Sequence, residues 1–148
     1  MKIVAAPDSF KGTMSAVEVA NVICETGKKE YQNLQFVSLP VGDGGEGTME
    51  CLIAACNGRK ESLWVEGPLG EQVEAHYGIL PNQTAIFEMA EASGLNLLRP
   101  EQYNPMKTST YGTGQLLQYA IKQGLSKMIL CIGGSATNDG GIDRKSVV

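Results

Sequence analysis

The stretch "PVGDGGEGT", Pro40–Thr48, decides the fold class through what flanks it. Before it runs the apolar segment "LQFVSLPV" (Leu34–Val41), and after it "TMECLIAACNG" (Thr48–Gly58), which has helical spacing and a stop at Gly58. The order is strand, glycine loop, helix. Upstream the same order is written once already. "KIVAAP" (Lys2–Pro7) is a buried-strand pattern and "DSFKGTM" (Asp8–Met14) a polar loop. Ser15 then opens a helix with Glu18 three residues on, a capping box. Val19, Val22 and Ile23 make its apolar face, and Gly27 with Lys28 and Lys29 marks its end. Strand–helix–strand–helix is the grammar of a parallel α/β sheet.

After Lys60 the grammar changes. "ESLWVEGPLGEQVEAHYGILPNQTAIFEMA" (Glu61–Ala90) breaks into short extended segments at Pro68–Gly70 and Pro81–Gln83, which predicts an antiparallel meander. The expected division is therefore residues 1–60 as the first part of a parallel α/β domain and residues 61–148 as an inserted second one. Thr108 or Ser109 is the expected cap of a helix through "GQLLQYAIKQG", closed by Gly124. "KMILCIGG" (Lys127–Gly134) is a last buried strand, feeding "GGSATNDGG" (Gly133–Gly141).

The totals exclude several classes. A chain of 148 residues with 43% hydrophobic and 19% charged residues is an ordinary globular sequence. A net charge of −4 provides no basic stripe for nucleic acid. No stretch approaches a membrane-spanning length, and the N-terminal apolar run is too short for a signal peptide. Cys24, Cys51, Cys56 and Cys131 form no C-x-x-C pair and sit in apolar segments, so they read as buried free thiols of a cytoplasmic protein. His76 is the single histidine, which leaves little from which to build a catalytic triad or a zinc site.

Three loops follow predicted strands, where α/β sheets gather their ligands. In the glycine loop, backbone N–H groups at a helix N-terminus favour an anion. Asp43 and Glu46 would repel a bare phosphate. They fit if Mg2+ lies between them and the phosphate, or if one of them accepts a hydroxyl proton. A tight turn with both acids in water is the plainer reading. In "GGSATNDGG", Gly133, Gly134, Gly140 and Gly141 allow close backbone approach, Ser135 and Thr137 offer hydroxyls, and Asn138 and Asp139 offer oxygen ligands. In "PDSFKG" (Pro7–Gly12), Lys11 can neutralise a carboxylate or phosphate, and Asp8 can orient or deprotonate a hydroxyl. The strands before the second and third loops are expected in one parallel sheet, so that Asp43 and Asp139 face a common cleft. No Walker A pattern is present.

Together, "APDSFKGTMSA", "PVGDGGEGT" and "GGSATNDGG", in that order and with "GPLG" and "TSTYGTGQ" between them, resemble the bacterial glycerate kinase family from Met1 to about Gly141. The resemblance implies a flavodoxin-like parallel-sheet domain, incomplete here, with an inserted second α/β domain. It implies ATP-dependent phosphorylation of D-glycerate, usually at the 2-hydroxyl. Matched motif by motif, it points to Asp8, Ser9 and Lys11; to Asp43, Gly44, Gly45, Glu46 and Thr48; and to Ser135, Thr137, Asn138 and Asp139. The expected roles are catalysis by Asp8, Lys11, Asp43 and Glu46, and Mg2+ ligation by Asp43 and Asp139. Substrate and phosphate contacts fall to Ser9, Gly44, Gly45, Thr48, Gly133, Gly134, Ser135, Thr137 and Asn138. The competing readings are a non-catalytic phosphate- or nucleotide-binding module, and a dinucleotide-dependent oxidoreductase built on Gly42, Gly44 and Gly47 with Glu61 or Glu66 as its ribose acid. The tail "IDRKSVV" has no helical apolar face and reads as a truncated or frame-shifted end, so the chain by itself is expected to be inactive.

Overall fold

The computed structural model describes residues 1–148, a mixed α/β chain with two separate sheets. The first has strands β1 (Lys2–Ala5) and β2 (Gln35–Ser38), parallel and registered from Lys2↔Gln35 to Ala5↔Ser38. Helix α1 (Ala16–Glu30) is their crossover. The capping box forms as its sequence predicts: the Glu18 N–H donates to Ser15 Oγ at 3.2 Å, and the Ser15 N–H donates to the Glu18 carboxylate at 2.8 Å. The buried stripe runs through Ala16, Val19, Ala20 and Cys24, while Val22 and Ile23, expected on it, are exposed. Ala16, Ala20 and Cys24 are four apart, so these small side chains define the packed line. Gly27 does not end α1. The helix continues to Glu30, and a side chain at Gly27 would overlap the Phe36 ring of β2. It is a packing glycine, not a stop.

The second sheet has the order β3 (Arg59–Glu66), β4 (Gln72–Ile79), β5 (Thr84–Glu88), β6 (Lys127–Cys131). Strands β3 to β5 form the antiparallel meander, and β6 lies parallel to β5. Strands β2 and β6 are thus in different sheets, contrary to expectation. Strand β6 returns to the edge of the meander that its preceding helix covers, a local β–α–β return that needs no contact with β1 or β2.

This sheet is covered on both faces. Helix α2 (Thr48–Cys56) lies on one, where Met49 packs with Leu80, Ile86 and Cys131. On the other lie the short α3 (Ala90–Ser93) and α4 (Tyr111–Lys122), where Ala92, Leu116 and Ala120 meet Tyr77, Ala85 and Phe87. All five residues of β5 are buried, as a strand sandwiched between helices requires. Tyr77 stacks on Phe87 with ring centroids 5.7 Å apart, and its hydroxyl donates to Glu61 at 2.6 Å. Phe87 and Leu116 have no exposed surface, each burial contributing about 1.5–3 kcal/mol.

Thr110 stands at the N-cap of α4, where the Tyr111 N–H donates to Ser109 Oγ at 3.0 Å, and Gly124 turns away beyond its end at φ +77°. The segment Ile142–Val147, expected as a polar tail, forms a short helix α5 against α4. Backbone holds it there: Gln118 Nε2 donates to the Val147 carbonyl, and the Arg144 N–H to Thr110 Oγ1 at 3.0 Å. Cys24, Cys51 and Cys131 are buried free thiols, but Cys56, at the end of α2, is exposed. No helix is long and apolar enough to cross a membrane.

Candidate functional site

Period two along β5 sends Thr84, Ile86 and Glu88 to the face that α2 covers. Ile86 fills the core there. Glu88, at the strand's end, reaches the N-terminus of α2 instead. Its Oε1 accepts the Met49 N–H at 2.7 Å and its Oε2 accepts the Gly47 N–H at 3.2 Å. The anion at this helix N-terminus is therefore a side chain of the protein. Two further glycine-loop amides turn inward too. The Gly44 N–H donates to Thr48 Oγ1 and the Gly45 N–H to Asp43 Oδ1, each at 3.0 Å. Glu88 is 2% exposed. Burial pushes its carboxyl above the ordinary range; the two amide bonds pull it down, and nearby Glu91 and Glu50 push it up again.

The third loop meets the second backbone to backbone. The Gly133 N–H donates to the Gly44 carbonyl at 3.0 Å, and a Cβ on Gly133 would stand 2.6 Å from Gly45 Cα. Beyond Gly133 the loop turns toward α3 and α4. The Leu95 N–H donates to the Gly134 carbonyl at 2.9 Å, and Thr137 Oγ1 to the Thr108 carbonyl at 2.8 Å. Ser135 Oγ closes its own turn on the Thr137 carbonyl at 2.9 Å, while Asn138 is exposed.

Asp139 is fully engaged. Its Oδ2 accepts the Thr110 N–H at 3.0 Å and the Thr110 hydroxyl at 2.7 Å, and its Oδ1 accepts the Gly141 N–H at 2.7 Å. Burial opposes its ionisation, but these bonds and the charge of Arg144 prevail and hold its carboxyl below the usual range. Asp139 thus holds Thr110, the N-cap residue of α4, instead of turning to a cleft shared with Asp43.

One cleft, of about 310 Å³, opens beside the glycine loop. Its charged wall is Lys11, Glu46, Glu50, Glu88 and Glu91, with Ser9 beside Lys11. Of the residues singled out in sequence, Ser9, Lys11 and Glu46 meet here. Gly44, Gly45, Thr48 and Gly133 build the loop junction, and Asp8 and Asp43 are exposed. Asp8 Oδ1 accepts the Ser9 N–H at 2.7 Å. Glu88, Glu91 and Thr110 went unnoticed in sequence. Glu88 had a readable signal: a charge closing the apolar run "TAIF" on a strand buried on both faces has to find a partner. Glu91 is fixed by His76, whose Nδ1 lies 3.0 Å from Glu91 Oε2 and whose N–H donates to the same oxygen at 2.9 Å. Glu61, the alternative ribose acid, is occupied by Arg59 and the Tyr77 hydroxyl.

For Mg2+, no three of the His, Cys, Asp and Glu side chains converge. Both oxygens of Asp139 already accept hydrogen bonds. Asp43 is exposed and accepts a hydrogen bond through Oδ1 only, so its Oδ2 fits a metal that takes one carboxylate and completes its shell with water and phosphate oxygens.

The parallel β–α–β unit, the covered meander and the polar cleft between their loops define a mixed α/β protein with a loop-built polar cleft. Its family follows from comparison with known proteins. The chain belongs to the Glycerate kinase family, whose sequence model matches residues 3–144. It is 51% identical to the glycerate 2-kinase of Escherichia coli (strain K12) over 142 residues, which are 95% of this chain and 37% of that protein. It is 49% identical to the glycerate kinase of Haemophilus influenzae over 144 residues, 96% of this chain and 38% of that one. Among solved structures it resembles a protein assigned as glycerate kinase 2 from Salmonella typhimurium LT2, with a TM-score of 0.86 and 44% identity over 99% of this chain and 40% of that one. The chain therefore spans less than two fifths of the length of these curated relatives.

Proposed function

We propose that this chain forms the glycine-loop side of an ATP-dependent kinase that phosphorylates D-glycerate at its 2-hydroxyl, giving 2-phosphoglycerate, with Mg2+ as cofactor, in the cytoplasm. The observation that carries this reading is the meeting of Ser9 and Lys11 with Glu46 in one cleft, within a chain of this family. Phosphoryl transfer needs positioning and charge neutralisation more than covalent help. In this reading Lys11 neutralises a carboxylate or phosphate, Ser9 donates a hydrogen bond, and Glu46 takes the hydroxyl proton. Asp43 Oδ2 holds Mg2+, which when bound offsets charge on the phosphate oxygens. Asp139 keeps the third loop docked on α4, with Gly133 and Gly134 nearest the ligand. The name of the Escherichia coli relative supports the choice of the 2-hydroxyl. The change of sheet at Arg59 supports residues 1–60 and 61–148 as parts of two domains.

The test is a chimera in which this segment replaces its counterpart in the Escherichia coli relative. ADP formation that requires D-glycerate and Mg2+ is expected, with 2-phosphoglycerate identified by phosphorus NMR. A 3-phosphoglycerate product would remove the regiochemistry alone. A folded chimera that forms no ADP would overturn the kinase reading.

A further inference from the structure

Glu88 is a costly residue to keep. It is 2% exposed, it has no cation partner, and Ile86 before it on the same face is satisfied by apolar packing. What its carboxylate does is join two parts of the molecule that are far apart in the chain. It comes from the end of β5 and grips the two amides, Gly47 and Met49, that follow the glycine loop, while also lining the cleft with Lys11 and Glu46.

We propose that Glu88 is a positioning residue: its ionised carboxylate fixes the start of α2, sets Glu46 opposite Lys11 and Ser9 across the cleft, and lets go on taking up a proton. The part of this that concerns substrate rests on the kinase reading of the cleft. The groups facing Glu88 are Glu50 and Cys51 on α2, Glu91 on α3 with His76 behind it on β4, Cys131 on β6, and Glu46 and Lys11 across the cleft. Burial comes first in raising its carboxyl, and the surrounding acids add to it. Release is thus placed above the ordinary glutamate range of about 4.3. The protonated carboxyl keeps its oxygens but loses the charge that complements the helix N-terminus.

The experiment is a pH titration of this chain by NMR, following the Glu88 carboxyl carbon and the Gly47 and Met49 amides. All three are expected to move with one midpoint above the usual carboxylate range. Glu88→Gln, which offers one acceptor oxygen for two N–H groups, should abolish the amide titration, and Glu88→Asp should retain one. A second arm measures the Kd of Mg-ATP with D-glycerate from neutral pH down through that midpoint. It should weaken by about tenfold in the parent chain, or about 1.4 kcal/mol, and stay weak and flat in Glu88→Gln. Amides that titrate apart from the Glu88 carboxyl, or alike in Glu88→Gln, overturn the inference without any appeal to binding. A shared midpoint with no ligand bound at any pH supports the Glu88 grip and overturns the substrate reading of the cleft.

Discussion

Gly133→Ala probes the junction on which the cleft is built. The added methyl would lie 2.6 Å from Gly45 Cα, 3.1 Å from its nitrogen and 3.2 Å from the Gly44 oxygen. Carbon atoms pack at about 3.5–4.0 Å, so the two loops have to part by about 1 Å. Gly133 is not among the glycines with positive φ, so alanine brings no backbone strain there and the effect is steric. Parting by that much lengthens the Gly133 N–H bond to the Gly44 carbonyl, now 3.0 Å, beyond useful range. That bond contributes about 1 kcal/mol. Displacing packed backbone costs about 1–3 kcal/mol more. The expected loss is about 2–4 kcal/mol, which in a domain of this size lowers Tm by about 4–16 °C.

Calorimetric melting checks it, with Gly124→Ala as the control. Gly124, unlike Gly133, has φ +77° and faces open space, so alanine there brings left-handed strain of about 1–2 kcal/mol and no clash. Gly45 holds Asp43 through its N–H and precedes Glu46, so Gly133→Ala should also weaken binding of Mg-ATP and D-glycerate. A Tm within about 1 °C of the parent chain would refute the packing.

Three further outcomes are expected. In the chimera, Asp43→Asn should lower kcat at least about 100-fold, a barrier increase of about 2.7 kcal/mol, with Tm unchanged because the side chain is exposed; steady-state kinetics and a melt read both. Lys11→Met should raise the KM for one anionic substrate by about 10- to 100-fold, the worth of a charge-assisted hydrogen bond of about 1.5–3 kcal/mol, with kcat less affected. Asp139→Asn should cost about 1–3 kcal/mol near neutral pH, since an amide nitrogen cannot accept from Thr110 or Gly141. Because Asp139 titrates below its ordinary value, its contribution is complete above about pH 4 and is lost as the pH falls through its lowered pKa, so urea midpoints of parent and variant should converge in acid.

The legible parts of this fold are those whose cause is local. Ser15 and Glu18 are one helical turn apart, and their box forms as read. Pro68–Gly70 and Pro81–Gln83 break the chain where the meander turns, and the alternation between them fixes its strands. What stayed hidden depends on partners distant in sequence. Glu88 accepts from residues 41 and 39 positions away, and Asp139 from one 29 away. Neither carboxylate carries a local mark of which helix it will close. Glycine is ambiguous for a related reason. Gly27 reads as a stop, whereas it admits the Phe36 ring, and Gly133, read as a ligand contact, also admits the backbone of Gly45. The sheet that β6 joins was hidden too, since an apolar strand does not specify its neighbour.

The two carboxylates at helix starts bear on how the cleft takes its ligands. An open N-terminus at α2 would have been a ready site for phosphate. Glu88 occupies it, and Asp139 sits on the N-cap residue of α4. Each helix start thereby carries a carboxylate of the protein itself. What faces the cleft is one ammonium, Lys11, against the carboxylates of Glu46, Glu50, Glu88 and Glu91. D-Glycerate and ATP, the proposed ligands, are both anions, and like charges in a partly enclosed site repel strongly. Lys11 offsets one of these charges, and Lys60, whose Nζ lies 2.9 Å from Glu50 Oε1, offsets another. Under the proposed function the balance has to come from a cation that arrives with the nucleotide, and a metal content with one carboxylate, water and phosphate oxygens meets that need without a protein cage. Asp43 then serves at the mouth of the loop, where its Oδ2 stays accessible, and the acids of the cleft disfavour any phosphate that comes without its metal.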